Sequence, residues 1–276
     1  MIVYDARRTC VGMTGILSDR AIISISGAEA KTFLQGLITN DVTKLTPEAP
    51  LYAALLTPQG KVLYDFLLSE AADTIYLDCH APSADAFLKR LTLYRLRARI
   101  DLARRTDLSV MWNSDNGSDD PRRPALGRRA IAPPHGLDVS GEHLVRRLEL
   151  GIPEGSDFGS DKIFALDAGL EELRGISFDK GCYIGQELTA RMKHRGTARK
   201  RLLPIATLDR SDLPPPGSAV RAGSMALGEI MAAYGARGFA LIRLDRWQEA
   251  GDAPVRIGER AARVDRPAWL ARTAGT

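Results

Sequence analysis

The stretch Lys180-Gly181-Cys182-Tyr183-Ile184-Gly185-Gln186-Glu187 is the most informative part of this 276-residue chain. It sets one thiol between two glycines, directly after a lysine, and a dense basic run follows with Arg191, Lys193, His194 and Arg195. Glycine opens backbone conformations closed to other residues and lets a ligand come close. Cationic neighbours favour the thiolate, the reactive form of a cysteine. An isolated cysteine is ordinarily a small buried apolar residue. That reading accounts for the thiol and leaves the rest of the octet unexplained.

The bulk of the chain bounds what surrounds this octet. With 45% hydrophobic and 26% charged residues it has a soluble globular composition, and it is long enough for one large or two to three modest domains. A formal net charge of +4, with arginine far ahead of lysine, suits an anionic ligand or nucleic acid; a solvated basic surface accounts for it equally. Residues 1–27 show no apolar core behind a basic start, so no secretory signal is expected. No run approaches the length that spans a bilayer. The cysteines Cys10, Cys79 and Cys182 are odd in number and far apart, which offers neither a disulfide framework nor a CxxC zinc knuckle. A reducing cytoplasm is the expected compartment.

Periodicity gives the organisation. Residues 21–26 alternate as a strand, and 28–37 read as a helix with Ala30, Phe33, Leu34 and Leu37 on one face. Residues 52–57 and 61–69 flank Pro58-Gln59-Gly60 as a hairpin, with Val62, Tyr64, Phe66 and Leu68 sharing a face. Residues 74–79 form another strand, 83–94 a core-facing helix through Phe87, Leu91 and Tyr94, and 99–103 and 108–112 further strands. The polar stretch 113–124 reads as a mobile loop. Residues 144–150 suggest a short strand or helical turn, and 164–173 a short helix leading into the octet. From residue 202 onward short β-rich pieces at 226–232, 239–244 and 255–264 suit a small β-barrel or sandwich. The order of strands and helices argues for an α+β fold with antiparallel sheets.

Familiar catalytic motifs are absent: there is no P-loop, GxGxxG, HExxH or GxSxG. His80, His135, His143 and His194 are dispersed. One reactive cysteine cannot hold an iron–sulfur cluster, which takes about four ligands, so any cluster chemistry needs a partner. Two carboxylates stand out by context. Asp41 follows Asn40 after the first helix and suits a turn-forming residue. Glu149 alternates with apolar neighbours in Arg147-Leu148-Glu149-Leu150-Gly151; a carboxylate there must be paired if buried. Its partner is either Arg147 or a flat ring whose amino-pyrimidinone edge offers two parallel N–H donors.

With the octet, Arg147-Leu148-Glu149-Leu150-Gly151 and Asn40-Asp41-Val42 in view, the chain resembles the YgfZ family, the folate-binding group related to the aminomethyltransferase (T-protein) of the glycine cleavage system. Further matches are Phe33-Leu34-Gln35-Gly36-Leu37-Ile38-Thr39, Tyr94-Arg95-Leu96-Arg97-Ala98-Arg99, Gly175-Ile176-Ser177-Phe178, and Ala190-Arg191-Met192 with Arg195-Gly196. The resemblance implies a cloverleaf-like assembly around a channel for tetrahydrofolate. Residues 1–200 would form the folate-binding region, as two intertwined α+β subdomains, one centred near 20–110; residues 201–276 would form the β-barrel-like domain. It implies a role in assembly or repair of iron–sulfur clusters, including those of tRNA-modifying enzymes, with assembly proteins or cluster-containing clients as partners.

On this resemblance Glu149 reads the pterin edge, Asp41 lies near the reacting folate nitrogen, and Lys180 and Cys182 are the octet's characteristic pair, with Tyr183 beside them in the folate site. Arg191 and Arg195 are electrostatic candidates for the folate glutamate tail. Folate chemistry needs a positioned carboxylate and no thiol, so an added cysteine argues for a task beyond one-carbon transfer. The alternatives are a folate-dependent aminomethyltransferase acting through Asp41, and an RNA-binding protein using the basic run 191–201. That run lacks the interleaved aromatics of base-stacking surfaces.

Overall fold

A computed structural model describes residues 13–196 and 199–270; Cys10 and positions 197–198 of the basic run lie outside them. The first part of the chain runs through β1 (Gly15–Ile16), β2 (Arg20–Ser26), α1 (Ala30–Gln35), β3 (Leu51–Leu56), β4 (Val62–Ala71), β5 (Thr74–His80), α2 (Ala84–Arg95) and β6 (Asp101–Arg105). Next come β7 (Ser109–Trp112), β8 (Ser118–Asp119), β9 (Arg128–Ala132), β10 (Leu137–Asp138), α3 (Ser140–Leu150) and α4 (Gln186–Arg195). The last part comprises β11 (Lys200–Thr207), β12 (Ala219–Ala222), β13 (Met225–Tyr234), β14 (Arg237–Arg243), α5 (Leu244–Ala250), β15 (Val255–Ile257) and β16 (Arg260–Val264).

These strands make two five-stranded sheets, ordered β3-β4-β5-β2-β6 and β10-β1-β7-β9-β8, and a closed barrel ordered β11-β14-β13-β12-β15-β16. Pairing is antiparallel throughout except between β1 and β10. The expected α+β architecture and terminal barrel are therefore present. β2 is buried on both faces because each face meets a different core: Ala21, Ile23 and Ile25 pack with Phe66, Leu77 and Phe87, whereas Ile22 packs with Val110 and Trp112. α1 and α2 cover the first of these cores with Leu34, Phe87 and Leu91.

Several local readings change. Val62 does not share a face with Tyr64, Phe66 and Leu68. The β3–β4 register shifts between Leu55 and Leu56, and the extra residue breaks the period of two. Val62 thereby joins Leu56 and Tyr52 in a second core, while Tyr64, Phe66 and Leu68 stay with the first. Residues 144–150 belong to one α-helix that starts at Ser140 and stops at Gly151, whose φ of 67° provides the left-handed stop. Residues 164–173 wind through successive turns instead of a helix. Leu170 N donates to Ala165 O, five residues back, where an α-helix closes at four. The apolar residues of this segment still enter the second core, through Ala165, Ala168, Leu170 and Leu173.

The stretch 113–124 was expected as a mobile polar loop, and the structure corrects that. It contains β8, and its Asp120 and Arg122 are among the most buried residues of the protein. Their charges belong to an interior network centred on Glu154. One Glu154 oxygen meets Arg122 Nη1 at 2.5 Å and the other meets Arg147 Nε at 3.1 Å, with Arg20 and Arg129 at 3.7 and 3.9 Å. Asp78 takes Arg20 and Arg129, Asp120 takes Arg122 and Arg129, and Asp157 takes Arg147 and the Tyr234 hydroxyl. Arg129 Nη2 lies 2.8 Å from His143 Nε2. A guanidinium only donates, so that nitrogen accepts and the ring is neutral; burial and the neighbouring Arg129 charge hold its pKa well below the ordinary value. The network joins β2 and β5 of one sheet, β9 of the other, α3, and β13 of the barrel. It spans all three parts, as does the second core, which packs Tyr52 and Leu56 of the first sheet with Leu202 and Phe239 of the barrel.

Candidate functional site

The octet is held by a clasp between two distant segments. Thr39 Oγ1 donates to Gly175 O and accepts from Ala54 N, and Ser177 N donates to Thr39 O. Asn40 Nδ2 donates to Tyr52 O and Arg174 O at 2.7 and 2.8 Å. The Lys180 ammonium closes the clasp by donating to Ile38 O and Asn40 O at 2.7 and 2.8 Å. Lys180 is buried, and burial lowers its pKa from 10.5 to about 8, with the charge of Asp41 acting in the opposite direction. The octet then turns over the tip of the β3–β4 hairpin. A Cβ on Gly185, at φ 82°, would stand 2.5 Å from Thr57 O, so only glycine fits this crossing. Gln186 starts α4 and its Oε1 accepts from Tyr183 N.

Within this frame Cys182 is exposed while Tyr183 beside it is buried in the second core. The alternation follows from the chain crossing an edge: Tyr183 and Ile184 are taken up by packing, and the thiol is left facing solvent. The Lys180 ammonium lies 5.2 Å from the Tyr183 ring centre, so the tyrosine ring covers the lysine. Cys79, the other described cysteine, is buried in the first core, and burial pushes its thiol up to about 12. Cys182 is thus the available thiol among the described residues.

The structure brings Lys180, Tyr183 and Asp41 together, leaves Cys182 beside them facing solvent, and sets Glu149 on α3 and Arg191 and Arg195 on α4. Asp41 has the turn-forming role: Oδ1 accepts from Thr43 N, Thr43 Oγ1 and Gln35 Nε2. The Thr43 hydroxyl is the chief reason its pKa lies below the ordinary carboxylate value. Its Oδ2 accepts no hydrogen bond among the described residues and has Lys44 Nζ at 4.0 Å. Glu149 is on a helix, not a strand, and it is not buried. Its side chain is 48% exposed near the end of α3, with Arg146 Nη1 at 3.5 Å. The alternative partner Arg147 is committed to Glu154 and Asp157. Arg191 and Arg195 are exposed on α4, where Arg191 pairs with Glu187 at 2.8 Å.

Sequence reading missed Thr39, Asn40 and Ser177 as parts of the site. Asn40 was noticed only as Asp41's neighbour; its position in a turn next to a buried strand was the available signal. Ser177 Oγ is buried without a hydrogen-bond partner among the described residues, an open valence inside the clasp. Among the described residues no group of three or more His, Cys, Asp and Glu side chains is placed to hold a metal ion. No described helix is long and apolar enough to cross a membrane.

Two five-stranded sheets and a closed terminal barrel make an aminomethyltransferase-like fold. The chain superposes on the glycine cleavage system aminomethyltransferase T from Bartonella henselae with a TM-score of 0.70, over 93% of this chain and 85% of that one, at 15% identity. Residues 199–272 match the family described as CAF17, C-terminal beta-barrel domain. Among curated relatives, the iron-sulfur cluster assembly factor IBA57, mitochondrial, of Homo sapiens is 31% identical over 87% of this chain and 79% of its own length. The Mus musculus protein of the same name is 30% identical over 85% and 77%. The homolog of Coccidioides immitis (strain RS) is 32% identical over 72% of this chain and 58% of its own length, so the chain spans little more than half of that relative. The chain belongs to the IBA57 iron–sulfur cluster assembly factor family.

These relatives carry the name IBA57, not YgfZ. They also correct the expected compartment: each is named as mitochondrial, which points away from the cytoplasm. The sequence offers no disulfide framework, and that pattern does not tell one reducing compartment from another.

Proposed function

We propose that this protein binds a reduced folate, tetrahydrofolate, beside the Lys180–Asn40 clasp and uses the Cys182 thiol in assembly or repair of iron–sulfur clusters, serving cluster-containing clients that include tRNA-modifying enzymes. The observation that carries the reading is the exposed Cys182 fixed on a buried lysine clasp in a member of an iron–sulfur assembly family. A single thiolate supplies one of the roughly four ligands a cluster takes. The remaining ligands come from the cluster's donor or acceptor protein, so Cys182 acts during transfer.

Taken singly, side chains on α3, α4 and the clasp have the chemistry that the parts of a folate call for. The Glu149 carboxylate is exposed and only loosely held by Arg146, so both oxygens can accept the paired N–H donors of a pterin edge. Arg195, and Arg191 once it leaves Glu187, supply charge for the glutamate tail. The buried Ser177 hydroxyl offers an unspent donor and acceptor. Asp41 stays ionised and keeps Oδ2 free of hydrogen bonds. Bound folate would supply a one-carbon carrier or a reducing ring; the chain's own residues hold and orient it.

Calorimetric titration with tetrahydrofolate on the wild type and Cys182→Ala tests both halves. The expected result is equal folate affinity in the two proteins, with cluster-enzyme activity in cells falling only for the variant. Absence of folate binding to the wild type would remove the ligand; normal cluster-enzyme activity in Cys182→Ala would remove the thiol's role.

A further inference from the structure

The outer end of α2 combines features that nothing inside the chain uses. Its inner face, through Phe87 and Leu91 with Leu88 and Tyr94 alongside, packs on the first core. The opposite side carries Leu93, 64% exposed, and the helix ends at Leu96, 86% exposed. Leu96 holds φ 47° and ψ −106°, a conformation that strains a branched side chain and suits glycine. Exposing leucine and straining its backbone are both unfavourable, and a side chain this exposed has little packing among the described residues to offset them. Such an outlier points to a use outside the fold.

Charge around the two leucines is one-sided. Lys89, Arg90, Arg95 and Arg97 are all exposed, and none makes an ion pair or side-chain hydrogen bond among the described residues. The neighbouring Arg99 and Arg104 are by contrast paired, with Glu29 and Asp85. The unpaired cations therefore gather at the exposed leucines, while the cations to either side are neutralised.

We propose that this end of α2 is a docking surface for an acidic polypeptide segment of a partner protein, one that carries an apolar residue among its carboxylates. Arginine matches carboxylates in bidentate geometry, and the leucines give such a segment an apolar anchor that charge alone does not provide. Nucleic acid fits less well because the exposed patch has no aromatic face for stacking. A bilayer surface fits less well because the apolar part is two side chains at one helix end, not a stripe. The inference goes beyond the folate and thiol reading and does not depend on it.

Fluorescence anisotropy on the full chain tests it, with a fluorescein-labelled peptide in which two leucines sit among glutamates. The wild type should bind this peptide. Arg95→Glu combined with Arg97→Glu should weaken binding by about tenfold or more, a loss of about 1.4 kcal/mol, and so should serine in place of the peptide's leucines. Leu96→Gly should weaken binding while leaving the melting temperature unchanged or higher, which separates docking from folding. Cys182→Ala should bind the peptide as the wild type does. Failure of the wild type to bind, equal binding by Leu96→Gly, or binding of poly(U) or phosphatidylglycerol vesicles without the peptide would overturn the proposal. So would a dimer abolished by the same substitutions in the absence of peptide binding.

Discussion

The Lys180 ammonium lies 2.8 Å from the carbonyl oxygen of Asn40, a residue 140 positions earlier in the chain. The same ammonium donates to Ile38 O, so one buried side chain ties the octet to the turn that carries Asp41. Removing it leaves two largely buried carbonyls without those donors. Lys180→Met should therefore lower stability by about 1–3 kcal/mol, measured by urea unfolding at neutral pH.

Lys180 also gives that stability a pH dependence. Burial lowers its folded pKa to about 8 from 10.5. Between these values the unfolded chain binds the proton that the folded chain has released, so the contribution to stability rises with pH across that window. A neutral amine keeps N–H groups for both carbonyls, and the clasp survives deprotonation. Urea midpoints of the wild type should gain between pH 8 and 10 relative to those of Lys180→Met; parallel profiles would show that the lysine is not desolvated.

Cys182 is exposed and is not a packing residue. Cys182→Ala should change unfolding free energy by no more than about 0.5 kcal/mol. Its expected effect is on function alone: alkylation of the folded chain at one rapid site should disappear, and cluster-dependent enzymes in cells should lose activity.

Glu149 separates ligand binding from folding in the same way. It is exposed on α3 with one loose partner, so Glu149→Gln should leave stability within about 0.5 kcal/mol of the wild type. Loss of a charged acceptor should weaken tetrahydrofolate by about 1.5–3 kcal/mol, roughly ten- to hundredfold in the calorimetric Kd. Unchanged affinity would exclude Glu149 from the site.

What could be read from the sequence follows a physical line. Alternation and turn residues locate β2, β3, β4, β5, β11, β13 and β14 because each has a core to face. β12, only four residues long, leaves no such signal, and β15 and β16 merge into one run because only the Gly258-Glu259 turn separates them. Cys182 stood out because glycine and lysine flank it, and Asp41's turn role was legible from its neighbour Asn40. Val62 was misplaced because a register shift leaves no mark in composition. The stretch 113–124 was misread because Asp120 and Arg122 look solvated until residues as distant as Glu154 are brought to them. Residues 144–150 read equally as a short strand or a helical turn because Leu148 and Leu150 alternate around Glu149; Ser140 and Gly151, which mark the helix ends, are the better signal. Nothing local announces that Lys180 reaches Ile38.

The Glu154 network makes the strongest prediction about the fold. Burial would raise the Glu154 pKa, but the guanidinium groups of Arg147, Arg122 and Arg20 overcome it and hold the carboxyl well below its usual range. A carboxyl with a depressed folded pKa contributes stability that is fully present above its unfolded pKa near 4.3 and is lost as pH falls through the folded value. Glu154→Gln leaves several buried guanidinium groups facing a neutral amide, and breaking a buried pair costs about 3–5 kcal/mol. Chemical unfolding at pH 7 should show a loss of that size, and the variant's stability should fall less steeply than the wild type's as the solution is acidified below pH 4. Because the network reaches Tyr234 through Asp157, the variant should also loosen the barrel from the two sheets. Hydrogen exchange in β13 and in α3 should rise together in Glu154→Gln; faster exchange confined to α3 would show that the barrel is held by other contacts.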